Sequence, residues 1–158
     1  MSTILFPMDE SVHPPKLYPD YKSTVLRAPS HPMIVLPSGL SEMSGPVFGE
    51  YQLGEFDHDL TKNSIVNGNP LGERIVVHGK VLNELGQPIP NTLVEIWQAN
   101  AAGRYVHKVD KHEAPLDPNF LGTGRTRTDK DGYYCFYTIK PGAYPWGNHF
   151  NAWRPNHI

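Results

Sequence analysis

With 158 residues, 39% of them hydrophobic and 19% charged, the chain has the size and composition of one globular domain able to bury a real core. A formal charge of −2 offers a polyanion no electrostatic attraction, so nucleic acid is not an expected partner. The one cysteine, Cys135, excludes an intrachain disulfide framework, and no apolar run is long enough for a membrane helix.

The opening MSTILFPMDE lacks a basic stretch ahead of its short apolar run. It does not read as a signal peptide, and a cytoplasmic location is expected. Sixteen prolines and fourteen glycines argue against long helices. In residues 1–72, HPPKLYPDY and RAPSHPMIVLPSG place prolines every few positions, which favours extended and turn conformations. LSEMSGPVFGE has room for a short helical turn at most. This segment reads as a proline-rich arm, with Ile34, Val35, Leu36, Val47 and Phe48 expected to be covered by the core or by a partner subunit. Its apolar and aromatic content argues against disorder.

From Glu73 to residue 158 the pattern changes. RIVVHGKVLN reads as a strand rich in Val and Ile, ELGQPIPN as a turn and TLVEIWQAN as a second strand. RTRTDKDGYYCFYTIK then reads as a hairpin, with Asp131-Gly132 at the turn. TDKDG lacks the glutamate and the ligand periodicity of an EF-hand, so the hairpin is preferred to a calcium loop. Short strands broken by proline and glycine turns predict an all-β fold, an antiparallel sandwich.

The stretch VHGKVLNELGQPIPNTLVEIWQANAAGRY, Val77 to Tyr105, resembles the signature of the intradiol ring-cleavage dioxygenases. The matching features are Val77, Gly79, Val81, Gly86, the triplet Val94-Glu95-Ile96 and Gly103-Arg104-Tyr105. HKVDKHEAPLDPNF, TDKDGYYCFYTIKPGAYPW and NAWRPNHI are similar to later parts of that family, so the resemblance covers nearly the whole chain. YPDYKSTVLRAP and GEFDHDLT are similar to the protocatechuate-cleaving branch, in which an iron-carrying beta chain pairs with a homologous alpha chain. Part of the signature is shared with non-catalytic transthyretin-like sandwich modules. That part speaks for the fold, and the distinguishing features are Tyr105, Tyr144 and WRPNHI.

The resemblance implies a non-haem Fe(III) centre that cleaves protocatechuate with O2 to 3-carboxy-cis,cis-muconate, in the beta-ketoadipate route of aromatic degradation. Ferric iron is a hard cation that favours anionic oxygen donors and accepts imidazole beside them. By the family pattern, Tyr105 is the tyrosinate that stays bound, Tyr144 the one displaced by substrate, and His157 the first histidine ligand. Arg154, always cationic, would stabilise a carbanion-like ring, and Tyr21 and Trp146 would line the substrate pocket. The second histidine of the pattern falls two residues after His157, beyond Ile158. The resemblance therefore implies further sandwich strands after the residues given, and the 158 residues alone are not expected to be a competent enzyme.

Plainer readings stand beside these. Either tyrosine taken singly would more often pack than bind metal. The combination with His157 at the matching offset is what points to ligands. His13, His31, His58, His78, His107, His112 and His149 lack a partner at ligand spacing and read as structural. Trp97 and Trp153 read as packing residues, and Cys135 as a buried, inert thiol. A binding module without metal, or a non-catalytic subunit of the same fold, remains the alternative to the enzyme, and binding of coloured ferric iron separates them.

Overall fold

The computed structural model describes residues 14–31, 34 and 52–158. It divides into two compact units, Met1–Tyr51 with Asn148–Phe150, and Gln52–Gly147 with Asn151–Ile158.

In the first unit a six-residue helix, α1, spans Lys22–Arg27. The sequence reading assigned no helix here, but KSTVLR is the proline-free window between Pro19 and Pro29. Its start is braced by Thr24, whose hydroxyl donates to the Tyr18 carbonyl at 2.6 Å and accepts the Tyr18 N–H at 3.0 Å. It stops at Ala28, which is extended (ψ 138°), as a residue preceding proline is pushed to be. Ile34, expected to be covered, is 82% exposed within this chain. Val35, Leu36, Val47, Phe48 and the LSEMSGPVFGE segment lie outside the described residues.

The second unit is built from strands: β1 (Arg74–Lys80), β2 (Leu93–Trp97), β3 (Thr123–Arg127), β4 (Tyr133–Ile139), β5 (Tyr144–Trp146) and β6 (Ala152–Arg154). They form three antiparallel pairs, β1 with β4, β2 with β3 and β5 with β6. The hairpin expected at Asp131-Gly132 is therefore corrected. The turn forms there, closed by Gly132 N–H donating to Asp129 O at 3.0 Å and by the Asp129 carboxylate accepting the N–H groups of Asp131 and Tyr133. Beyond it the two strands part, β3 to join β2 and β4 to join β1. Local turn chemistry is legible in five residues, but the choice of ladder partner depends on residues far away in sequence.

Alternation decides which side of each strand is covered. Ile75, Val77 and Gly79 of β1 are half-buried, while Arg74, Val76, His78 and Lys80 face outward. Leu60, Phe120, Phe136 and Ile139 form the buried core, with Val77, Val94, Ile96, Ala101 and Tyr134 packed on it. Burying each large side chain of this kind stabilises the fold by about 1.5–3 kcal/mol. Residues 57–60 share this unit: Leu60 N–H donates to Tyr137 O, and Tyr137 N–H to His58 O. Polar side chains are buried as well. Gln98, 1% exposed, accepts from the Thr138 hydroxyl at 2.7 Å and donates to the Ile139 carbonyl at 2.7 Å, tying the end of β2 to the end of β4. Among the described residues, no helix is long and apolar enough to cross a membrane.

Candidate metal centre

Two loops and one short ladder deliver the predicted residues. After β2 the chain winds tightly around Asn100, whose N–H donates to Arg104 O at 2.9 Å and whose side-chain oxygen accepts the N–H groups of Ala102 and Arg104, each at 3.0 Å. Gly103 completes this turn at φ +79°, where an added methyl would also run into the Ala143 carbonyl. The turn presents Tyr105 as the next residue after Arg104. Tyr144 opens β5 and is directly opposite Arg154 of β6 in the ladder. His157 follows three residues after Arg154.

These side chains converge. Tyr105 Oη is 3.2 Å from His157 Nε2. The Tyr144 ring meets the Tyr105 ring edge to face, with centroids 5.1 Å apart and planes at 80°. His157 Nδ1 lies 2.6 Å from the Pro155 carbonyl, which can only accept, so Nδ1 carries the proton. That leaves the Nε2 lone pair facing the phenol, the tautomer that a metal-binding imidazole requires. A cavity of about 260 Å³ beside them is lined by Trp97, Tyr105, His107, Asp110, Tyr144 and Arg154. The Arg154 guanidinium sits 4.3 Å from the Trp146 ring, and Trp97 packs on Tyr105 with centroids 4.8 Å apart. Tyr21 is in the other unit, 53% exposed, at the N-terminal end of α1.

Asp110 was not singled out from the sequence, and it organises much of this site. Its carboxylate accepts the Tyr105 N–H at 2.9 Å and the His112 N–H at 2.8 Å, and Arg104 lies 3.8 Å away. The Asp110 charge also acts on the Tyr144 hydroxyl. Burial opposes ionisation of Asp110, but these donors together outweigh it and hold its pKa below the usual carboxylate range. The two phenols are pushed the other way. Burial raises Tyr105, partly countered by Arg154, and burial together with the Asp110 charge raises Tyr144. Without a cation both remain protonated at neutral pH.

Of the residues read as structural, His112 stands edge-on to both Tyr144 and Trp153, and His107 lies 6.1 Å from Trp97. Trp97 does pack, but against Tyr105 and 54% exposed, so it also walls the cavity. Cys135 is half-buried rather than buried. Among the described residues there is no cluster of three or more His, Cys, Asp or Glu able to hold a metal. A cation at this site would depend on phenol oxygens joined by one imidazole. That donor set fits a hard, highly charged ion such as Fe(III).

Residues 43–158 match the sequence profile described as Dioxygenase, and residues 6–38 match the one described as Protocatechuate 3,4-dioxygenase beta subunit N terminal. The chain is 66% identical over 156 residues to a protocatechuate 3,4-dioxygenase beta chain from Burkholderia cepacia, a match covering 99% of this chain and 66% of that protein. It is 32% identical over 110 residues to a hydroxyquinol 1,2-dioxygenase from Rhizobium sp. (strain MTP-10005), covering 69% of this chain and 35% of the relative. Among solved structures it is similar to 3-chlorocatechol 1,2-dioxygenase from Rhodococcus opacus 1CP, with a TM-score of 0.51 at 25% identity, over 72% of this chain and 46% of the other. The chain thus spans less than two thirds of the length of these relatives.

Proposed function

Since the chain belongs to the intradiol ring-cleavage dioxygenase family, we propose that it carries the iron-site residues of an enzyme that opens protocatechuate with O2 to 3-carboxy-cis,cis-muconate. The observation that carries this reading is the convergence of the Tyr105 hydroxyl and the His157 Nε2 at 3.2 Å, with the Tyr144 ring packed beside them. Tyr105, Tyr144 and His157 would hold the metal. Bound Fe(III) supplies a Lewis acid and a template for the two adjacent oxygens of a catechol.

The chain's own groups prepare the rest of the site. The Pro155 carbonyl fixes the His157 tautomer. The Asp110 carboxylate holds the Tyr105 loop by accepting that residue's N–H. Arg154 brings a permanent positive charge to the cavity wall, where negative charge developing on the ring would be stabilised. Its stacking on Trp146 restricts the guanidinium to that wall. Trp97 packs against the Tyr105 ring, and Trp146 is assigned to the substrate pocket.

The same reading arranges the strand pairs as an antiparallel β-sandwich. It pairs the chain with a homologous alpha chain, and it places the assembly in the cytoplasm. The deciding experiment is a visible absorption spectrum of the natively purified full-length protein, before and after anaerobic addition of protocatechuate. A broad tyrosinate-to-iron(III) band that shifts with substrate is expected. A protein that stays colourless after iron reconstitution would overturn the reading.

A further inference from the structure

Tyr105, Tyr144 and His157 come from three separate segments, and one peptide bond touches all three. The N–H of the Pro141–Gly142 peptide donates to the Asn100 carbonyl at 2.9 Å, and its carbonyl oxygen accepts from the Asn156 side-chain amide. Asn100 is 5% exposed and is the hub of the Tyr105 loop. The carbonyl that takes the Gly142 N–H also takes that of Gly103 at 3.0 Å, and its side-chain amide donates to Pro115 O at 2.9 Å. Gly142 precedes Tyr144 by two residues, and Asn156 immediately precedes His157. The loops meet backbone to backbone. A methyl on Gly142 would stand 2.5 Å from both Ala101 O and Gly103 N.

We infer that the Pro141–Gly142 peptide, held by Asn100 on one side and Asn156 on the other, sets the three ligand segments against one another. Asn100 and Asn156 are thus positioning residues for the metal site, an inference that rests on the metal reading above. The physical reason is the planarity of the peptide bond. Its N–H and C=O are fixed in opposite directions on one rigid plate, so a shift of either asparagine is transmitted to the other. Neither asparagine reaches the ligand oxygens or nitrogen itself.

The test uses the full-length protein, iron-loaded and metal-free, with N156A, N100A, N100D and the double variant N100A/N156A. Asn156 is exposed, so N156A is expected to keep the wild-type Tm. It should still weaken Fe(III) binding roughly tenfold in chelator competition, move the visible band, and speed amide exchange at Gly142 in the metal-free protein. N100A is expected to lose roughly 10- to 100-fold in affinity. N100D keeps an oxygen acceptor for the Ala102 and Arg104 N–H groups and should recover most of that loss. The double variant should be little worse than N100A, because loss of the Asn100 side chain loosens the loop whose backbone carbonyl holds the same peptide.

Wild-type affinity, band and Gly142 exchange in N156A would overturn the inference, as would single effects that multiply in the double variant. Should N100A fail to fold, N156A carries the same test. A wild-type protein that binds no iron removes the metal reading. Gly142 exchange then decides the junction alone: faster exchange in N156A upholds it, and unchanged exchange ends it.

Discussion

The β1–β4 pair and the junction of the metal-site loops hold their shapes by different means. From Arg74↔Ile139 to Lys80↔Tyr133 the strands are in continuous register, so each residue is backed by its neighbours in the ladder, and Val77 and Phe136 face the same core. Around Tyr105 and Tyr144 there is no such redundancy. The loops depend on Asn100, on the Asp110 carboxylate, and on glycines at the points where backbones touch. The ladder spreads its stability over many small contributions, whereas the loops concentrate theirs in a few polar groups. Damage to the ladder should therefore appear first as lost stability, and damage to the loops as lost metal binding in a protein that still folds.

The sharpest way to break this contrast starts in the core. Phe136→Ala, at a fully buried position, is expected to cost about 3–5 kcal/mol in denaturant unfolding, and to lose iron only through unfolding. Tyr105→Phe keeps the ring that packs on Trp97 and removes the hydroxyl facing His157. It should reduce Fe(III) affinity by more than about 100-fold, beyond the effect of losing an outer partner, with the far-UV circular dichroism unchanged. If instead Tyr105→Phe unfolds the protein, the division between scaffold and site is wrong.

Protons sharpen the same comparison. Burial raises the pKa of both phenols above the ordinary tyrosine value, so a metal bound through them must release their protons. Fe(III) affinity of the metal-free protein is expected to rise with pH, by up to about tenfold per unit for each phenol proton released. A flat profile would show that these hydroxyls are not ligands.

The smallest effect concerns Asp110. Its pKa is lower in the folded protein than in the unfolded chain, so its contribution to stability is complete above an unfolded carboxylate value of about 4 and is lost as pH falls through the folded value. Asp110→Asn should flatten that acid limb and speed exchange of the Tyr105 and His112 amides. The β1–β4 ladder should show the same acid response in both proteins.

Much of this molecule follows from sequence alone, for physical reasons that can be named. Runs rich in Val and Ile announced β1 and β2, because β-branched side chains fit a pleated, half-buried surface. Asp131 and Gly132 announced a turn, because their chemistry acts within five residues. Tyr105, Tyr144 and His157 were legible as candidates because their residue types suit a hard cation and their spacing matches a family pattern. Tertiary structure decided the rest. It sent β3 and β4 to different partners, since pairing is settled by distant residues competing for the core. It fixed the His157 tautomer through Pro155, brought the Asp110 carboxylate to the Tyr105 N–H, and placed one peptide between Asn100 and Asn156. Hydrogen bonds of this kind join groups as much as 42 residues apart in the chain (Asn100 to Gly142), and no local pattern of residues encodes where their partners will lie.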